Sequence, residues 1–343
     1  MSIVSNKYTG KAALLALITI TGMGLSGQVL ASTDKHKITL ALESGDRTSA
    51  SGQSVQMLAE LVKKNSNGRI DINIFYQGEL GGQQEMFDQL VRGNIDMMLT
   101  WPQTSYDERL AVNYIPYLTL GWEDALKAYS DNGWLKNILA EVYDDMHLHY
   151  FGPYPEGFGG IATKGKYATN FEAAQGINVR SQPVFPLPQT MTAMGFQATP
   201  VDWSEVYTAI QTGVVDGDSS NVIYYDYEYF RDQIQYYVHS KHNFSSYALL
   251  MSGDTWEKLD KEDQDIISKA AEQVIEKKFG DARAEDEKWI AAAKAAGIQY
   301  IEPTPAEMQA WVKRVREQVW PEAEKMLGKG LMDKLRANAS NPE

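Results

Sequence analysis

The stretch from residue 69 to residue 102, RIDINIFYQGELGGQQEMFDQLVRGNIDMMLTWP, establishes the fold class of this 343-residue chain. Its first isoleucines alternate with Asp71 and Asn73, which is the two-residue period of a β-strand. A helical segment follows, stops at Gly93, and gives way to a second apolar strand, IDMMLT. With an earlier strand at residues 37–42 and the helix after it, this alternation predicts a mainly parallel sheet covered by helices.

A second set of strands and helices follows the glycine- and proline-rich segment YFGPYPEGFGG. The short strand INV leads to Arg180, two helices come next, and VVDGD and SYALLMS predict further strands. We therefore predict two α/β domains with a ligand cleft between them. The predicted boundaries place residues 32–155 and 246–284 in domain I and residues 156–245 and 285–343 in domain II.

Two helical segments close the chain. Residues 261–296 predict one helix of 36 residues, which at about 1.5 Å per residue reaches about 54 Å and is long enough to bridge two domains. Gly280 is a candidate position for a kink in it. The last segment, PAEMQAWVKRVREQVWPEAEKML, predicts a helix that is broken at Pro321.

The first 31 residues have the pattern of a secretory signal peptide. Lys7 and Lys11 precede the apolar run AALLALITITGMGL, and Val29 and Ala31 are small residues that favour cleavage after Ala31. The run is too short to cross a hydrocarbon core of about 30 Å comfortably. The sequence has no cysteine, so no lipid can be attached at the cleavage point and no disulfide can form. We predict an exported, freely soluble protein.

The charge balance argues against some partners. Removing residues 1–31 removes two lysines and no acidic side chain, which leaves 30 basic and 45 acidic residues and a net charge of −15. Such a surface is unfavourable for binding nucleic acid or an anionic membrane.

Catalytic and metal-binding motifs give no positive signal. His147 and His149 lie on one face of a predicted strand with Asp144 and Asp145 nearby, but no third ligand is indicated, so a half-buried strand is the better interpretation. Phosphate loops, GxSxG elbows and HExxH motifs are missing from the sequence. We predict neither a metal nor a cofactor.

Several residues fall at the carboxyl ends of predicted strands, where α/β sheets bind ligands: Glu43, Trp101, Arg180 and the turn DGDSSN. A guanidinium presents paired donors that match a carboxylate, although a surface salt bridge is an equal alternative for Arg180. Trp101 and Trp203 suit either core packing or ligand contact. The tyrosines of VIYYDYEYF are more typical of packing than of a ligand site.

Longer motifs resemble the DctP-type solute-binding proteins of tripartite ATP-independent periplasmic (TRAP) transporters. These motifs are QGINVRSQP, AMGFQATPVDWSEVYTAIQTGVVDG, WEKLDKEDQDIISKAAEQ, GELGGQQEMFDQLVRGNIDM and NYIPYLTL, and the similarity covers residues 36–335 in order. The resemblance implies a two-domain periplasmic binding protein fold with a long bridging helix. It also implies a protein that is not an enzyme but closes around an organic acid and delivers it to a sodium-driven membrane permease.

The resemblance also implies functional residues. The family's carboxylate-binding arginine falls on Arg180, its ligand-facing aromatic on Trp203, its first-strand polar residue on Glu43, and the residue after the GNIDM strand near Trp101. The segment YPEG, which holds Tyr154 and Glu156, together with Glu43 and Trp203 looks more like the ectoine-binding branch. The complete predicted ligand-binding set is Arg180, Trp203, Glu43, Trp101, Ser220, Asn221, Tyr154 and Glu156.

Two departures from the family pattern narrow the ligand class. A second arginine found in many members would fall at about Gly159, and the asparagine of DGQENP falls on Ser220, with Asn221 one place late. Members of the family that bind sialic acid or other sugar acids tend to keep both features, so their absence here disfavours those ligands. With one anion clamp and Glu43 in the same cleft, we expect a zwitterionic or hydroxylated monocarboxylate, unless Glu43 pairs with Arg47.

Two other functions remain alternatives at this stage. The protein could serve a sensor or another importer, which the neighbouring genes would reveal. A secreted carbohydrate-active enzyme would require a pair of carboxylates at catalytic separation in the cleft.

Overall fold

The computed structural model describes residues 35–341, and the predicted signal peptide lies outside the described residues. The strands are β1 (His36–Leu42), β2 (Ile70–Phe75), β3 (Met97–Thr100), β4 (Leu148–Phe158), β5 (Ile161–Thr163), β6 (Asn178–Ser181), β7 (Gln197–Pro200), β8 (Gly217–Ser219), β9 (Tyr236–Val238), β10 (Phe244–Ser252) and β11 (Gln299–Ile301). The α-helices are α1 (Ala50–Asn65), α2 (Gln83–Val91), α3 (Trp122–Tyr129), α4 (Trp134–Asp145), α5 (Phe171–Ala174), α6 (Leu187–Met194), α7 (Val206–Thr212), α8 (Ile223–Phe230), α9 (Gly253–Lys258), α10 (Lys261–Ala295), α11 (Pro305–Leu327) and α12 (Lys329–Asn338). Short 3-10 segments cover Glu108–Tyr114 and Trp203–Glu205.

The strands form two sheets. The first has the order β2-β1-β3-β10-β4, and the second has the order β11-β9-β5-β8-β6-β7. In the first sheet β1 pairs in parallel with β2 and β3, as the alternation of strands and helices predicted. The strand β10 runs antiparallel to both of its neighbours, because the chain returns to this sheet after building most of the second one. The predicted α/β fold class is confirmed, with mixed rather than parallel sheets.

Apolar side chains cover both faces of each sheet. On the first sheet, one face packs on α2, α3 and α4 and the other on α1 and the first half of α10. On the second sheet, one face packs on α6 and α11 and the other on α7, α8 and the end of α10. This burial leaves the strand ends and their connections to form the functional site.

The predicted long helix is present as α10, which is continuous for 35 residues and passes through Gly280. The Asp260 side chain caps it by accepting a hydrogen bond from the Asp263 amide at 2.9 Å. Ile267 packs in the core of the first sheet and Ala293 in that of the second, so this helix contributes to both. None of the described helices has an apolar stretch long enough to span a bilayer.

The predicted helix break at Pro321 is wrong. α11 runs through that proline without interruption. Its first half buries Val315 in the core of the second sheet, and its second half buries Trp320 and Ala323 in the core of the first. The indole nitrogen of Trp320 also donates to the Pro116 carbonyl at 3.0 Å. Packing at both ends offsets the backbone hydrogen bond that a proline cannot donate.

Candidate ligand-binding site

Two predicted site residues lie side by side at the edge of the first sheet. Glu43 follows β1 and Trp101 follows β3, and these strands are parallel neighbours, so their carboxyl ends meet. The hydroxyl of Thr100 donates to Glu43 Oε2 at 2.8 Å. The Trp101 ring stacks on the Tyr247 ring of β10, with ring centroids 4.4 Å apart. Arg47, the alternative partner of Glu43, instead lies over the Tyr76 ring.

Glu156 and Tyr154 reach the same region from β4. Glu156 accepts hydrogen bonds from the Tyr225 hydroxyl at 2.7 Å and from the Ser245 hydroxyl at 3.0 Å. The Tyr154 hydroxyl lies 3.0 Å from that of Ser54, and the ammonium of Lys278 lies over the Tyr154 ring. β4 therefore contributes one acid and one aromatic ring to the site.

The two glutamates of the site hold their protons unusually tightly. Burial raises the pKa of Glu43 to about 8, and the charge of Glu156 adds to the shift. Burial likewise raises the pKa of Glu156 to about 7, although its bond from Tyr225 and the charge of Lys278 oppose this. A cationic group placed between these acids would favour their ionised forms.

Arg180 is buried and already engaged within the protein. It lies in β6, directly across from Asp218 of β8 in a parallel register. Its Nε donates to the Val201 carbonyl at 2.9 Å and its Nη1 to Asp218 Oδ1 at 3.2 Å. The guanidinium carbon is 5.8 Å from the centre of the Trp203 ring. Thus Arg180 and Trp203, each predicted as a ligand-binding residue, are neighbours, and a protein carboxylate shares the arginine.

Asp218 belongs to a buried polar cluster. Asn221 Nδ2 donates to Asp218 Oδ2 and also lies 3.4 Å from Asp226 Oδ1. Burial, and then the charge of Asp218, raise the pKa of Asp226 well above its usual range. Burial raises the pKa of Asp218 as well, but the charge of Arg180 and its hydrogen bond oppose that rise. The proton therefore resides on Asp226, and Asp218 is the anionic partner of Arg180.

Ser220 and Gly159 shape the chain near this cluster. Ser220 has a positive φ of 76° and its hydroxyl lies 3.0 Å from His242 Nε2. Burial lowers the pKa of His242 to about 3, so this ring is neutral. A Cβ atom added at Gly159 would lie 2.3 Å from Asn243 Oδ1 and 2.7 Å from the Ser220 carbonyl oxygen, so the position at which the second arginine of the similar family would fall has no room for a side chain.

Two adjoining cavities open among these residues. The larger has a volume of about 410 Å³ and includes Tyr154 and Glu156 in its lining. The smaller has a volume of about 10 Å³ and is lined by Trp101, Ser220 and Asn221, among others. Val222 and Tyr225 line both. Glu43, Arg180 and Trp203 line neither cavity.

Three further residues belong to the site but were not predicted from the sequence. The Tyr225 hydroxyl bonds to both Glu156 and the Tyr247 hydroxyl, the latter at 2.6 Å. Tyr225 lies in the tyrosine-rich segment that was predicted to pack rather than to bind a ligand. Its side chain is buried, and its hydroxyl also contributes to the site. Asp218 lies in the turn DGDSSN, which was predicted to fall at a strand end. Its acidic side chain is the feature of the sequence that could have identified it as a site residue.

The histidine pair does not form a metal site. His149 stacks on Trp256 with ring centroids 3.7 Å apart, and burial lowers its pKa to about 4. In the part of the chain that the structure describes, no group of three or more acidic or histidine side chains could hold a metal ion.

Comparison with known proteins places this geometry among binding proteins. The family model for bacterial extracellular solute-binding protein, family 7 (DctP), matches residues 43–325. The ectoine-binding periplasmic protein TeaA of Halomonas elongata is 23% identical over 284 residues, which are 81% of this chain and 82% of that protein.

Solved structures share the fold at low identity. A TRAP periplasmic solute-binding protein from Haemophilus influenzae with bound L-gulonate matches with a TM-score of 0.81 and 22% identity, covering 89% of this chain and 100% of that one. Another from Sulfurospirillum deleyianum, with bound succinate, matches with a TM-score of 0.79 and 22% identity, covering 89% and 99%. The two relatives hold different acids, so the fold alone does not specify the ligand.

Proposed function

Because the chain belongs to the DctP family of bacterial extracellular solute-binding proteins, we propose that it captures a small organic acid in the periplasm and delivers it to a TRAP permease. Membership confirms the resemblance drawn from the motifs, and members of this family are binding proteins rather than enzymes. The observation that carries the proposal is the pair of adjoining cavities at the strand ends, where α/β proteins bind ligands.

Arg180 is the proposed carboxylate contact. Within residues 35–341, its Nε and Nη1 donate hydrogen bonds to the chain, whereas Nη2 donates none. That nitrogen can serve one ligand carboxylate, while Trp203 would pack against the ligand body. With no room for an arginine at position 159, a second ligand carboxylate would lack a partner at that position.

The acids and aromatic rings of the site favour a positive group on the ligand. Glu43 and Glu156 would face that group, and Trp101 and Tyr154 would pack against it through cation–π contacts. Ser220 and Asn221 would complete the polar lining. We therefore propose a zwitterionic or hydroxylated monocarboxylate. Ectoine, in the name of the Halomonas relative, shows that this class occurs within the similar proteins.

Two further features of the proposal concern location and motion. Cleavage after Ala31 would release the mature chain into the periplasm. The two predicted domains, residues 32–155 with 246–284 and residues 156–245 with 285–343, would close around the ligand. The contributions of α10 and α11 to the cores of both sheets support coupling between these parts.

Calorimetric titration of Arg180→Lys tests the arginine contact, with the acid released from the purified protein as ligand. Lysine keeps the charge and loses the planar fork, so we expect binding to weaken by about 30-fold or more. Lys164→Arg, a change between the same residue types at a lysine whose ammonium donates to the Ile210 carbonyl, is the control and should bind as wild type does. Wild-type affinity in Arg180→Lys would refute the arginine contact.

A further inference from the structure

The charges around the two cavities do not suit a ligand with a net negative charge. Five acids line the larger cavity (Asp46, Glu156, Glu228, Glu285 and Asp286) against two lysines. Lys278 forms an ion pair with Glu285, and Lys288 lies over the Trp289 ring with 4.8 Å to its centroid. Among the described residues, no charged side chain lines the smaller cavity.

Arg180, the proposed carboxylate contact, lines neither cavity, and its charge is already matched within the protein by Asp218. Both it and Asp218 are almost fully buried, with 2% and 0% of their side chains exposed. Their Cα atoms are partners in adjacent parallel strands, so the two side chains project from the same face of the sheet at one level. The backbone pairing thus holds the carboxylate beside the guanidinium.

The surrounding contacts hold Asp218 in this position. Asn221 donates to the oxygen that Arg180 does not contact, and Asn221 itself lines the smaller cavity. The Asn221 carbonyl accepts bonds from the Gly160 amide at 2.9 Å and the Tyr237 hydroxyl at 3.1 Å. Asp218 therefore cannot turn away from Arg180 without breaking a buried network.

We propose that Asp218 is a specificity-determining residue that neutralises Arg180 in advance, so that the site selects ligands of zero net charge over anions. A ligand carboxylate approaching Nη2 meets an arginine that is paired with another carboxylate, and like charges brought together in a buried site repel. A positive group on the ligand offsets this repulsion, because it can face Glu43 and Glu156. This inference rests on the proposed function and names the property of the acid that the site recognises.

Two ligands of the same shape test how a positive charge on the ligand changes its affinity. Glycine betaine and 3,3-dimethylbutanoate have the same shape, and they differ in that a quaternary nitrogen replaces a quaternary carbon. Their affinities for the mature wild-type protein, measured by titration calorimetry at pH 7, should differ by at least about tenfold in favour of betaine. A wild-type preference for 3,3-dimethylbutanoate would overturn the proposal without requiring any variant.

The variant Asp218→Asn separates this role from that of the aromatic rings, which would favour betaine by themselves. We expect Asp218→Asn to bind 3,3-dimethylbutanoate about tenfold more tightly than wild type does, and so to narrow the ratio of the two affinities. The control is Asp226→Asn, which replaces a neighbouring buried carboxyl that is already neutral and should leave the ratio unchanged. An unchanged ratio in Asp218→Asn, or an equal change in Asp226→Asn, would refute the assignment.

Failure of the proposed function would have a different signature. In that case no organic acid would be released from the denatured protein, and Arg180→Lys would leave ligand binding unaffected. Failure of the Asp218 assignment would leave both of those results intact and alter only the charge selectivity.

Discussion

At the scale of single residues, two glutamates of the site, Glu43 and Glu156, are buried, and burial disfavours their ionised forms. The Thr100 hydroxyl donates to Glu43, and the hydroxyls of Tyr225 and Ser245 donate to Glu156. These bonds offset part of the cost of burying the charges, yet both pKa values stay above those of exposed glutamates. In the ligand-free protein, the native state therefore binds more protons than the unfolded chain around neutral pH.

A pH dependence of stability follows from these shifts. The pKa of Glu43 rises from 4.5 to about 8 and that of Glu156 from 4.5 to about 7, so folding favours the protonated forms. Their stabilising contribution is complete below pH 4.5 and is lost as the pH rises through about 7 and 8. Urea denaturation of ligand-free Glu43→Gln should show a smaller loss of unfolding free energy between pH 5 and pH 8 than wild type.

Glu317→Gln serves as the control for that measurement, because it removes an exposed acid that lines neither cavity. Its stability should follow the wild-type pH dependence. If Glu43→Gln lost as much unfolding free energy over this pH range as wild type, the buried glutamate would not be the proton-binding group.

The positions of single site residues were only partly predictable. Glu43 and Trp101 were found because strand ends can be read from local periodicity, and parallel neighbours bring those ends together. The pairing of Arg180 with Asp218 was missed, because it depends on the register of two strands whose partners are 38 residues apart. Local sequence patterns carry no information about such register.

At the scale of elements, local propensity and tertiary packing disagree most clearly at α11. A proline inside a helix predicts a break, because it lacks the amide donor. The helix nevertheless continues, since Trp320 and Ala323 on either side of the proline are both buried. By contrast, α10 was predicted within one residue, because its helical pattern is long and neither end depends on distant contacts.

The disagreement at α11 has a measurable consequence. Pro321 is exposed, so Pro321→Ala should restore a backbone donor without disturbing the core and raise the unfolding free energy by about 1–3 kcal/mol. Chemical denaturation compares it with Glu322→Ala, an exposed neighbour for which we expect a change within about 0.5 kcal/mol. A less stable Pro321→Ala would mean that the native helix geometry requires the proline.

At the scale of the whole molecule, two long helices contribute to the cores of both sheets. The fold class and α10 as a bridge were predictable from the sequence, whereas the second bridge, α11, and the antiparallel position of β10 were not. Both of the latter depend on how the chain returns from one sheet to the other. The cavities lie among the elements that such a return brings together, so the ligand site is a product of tertiary structure.

Mass spectrometry of the small molecules released when the purified mature protein is denatured tests the central claim most directly. The account predicts one small organic acid, released in an amount close to that of the protein and carrying a single carboxylate. Adding an excess of 100 times the dissociation constant to the ligand-free protein should stabilise it by about 2.7 kcal/mol. Release of a compound without a carboxylate, or of a dicarboxylate that stabilises the protein, would contradict the account.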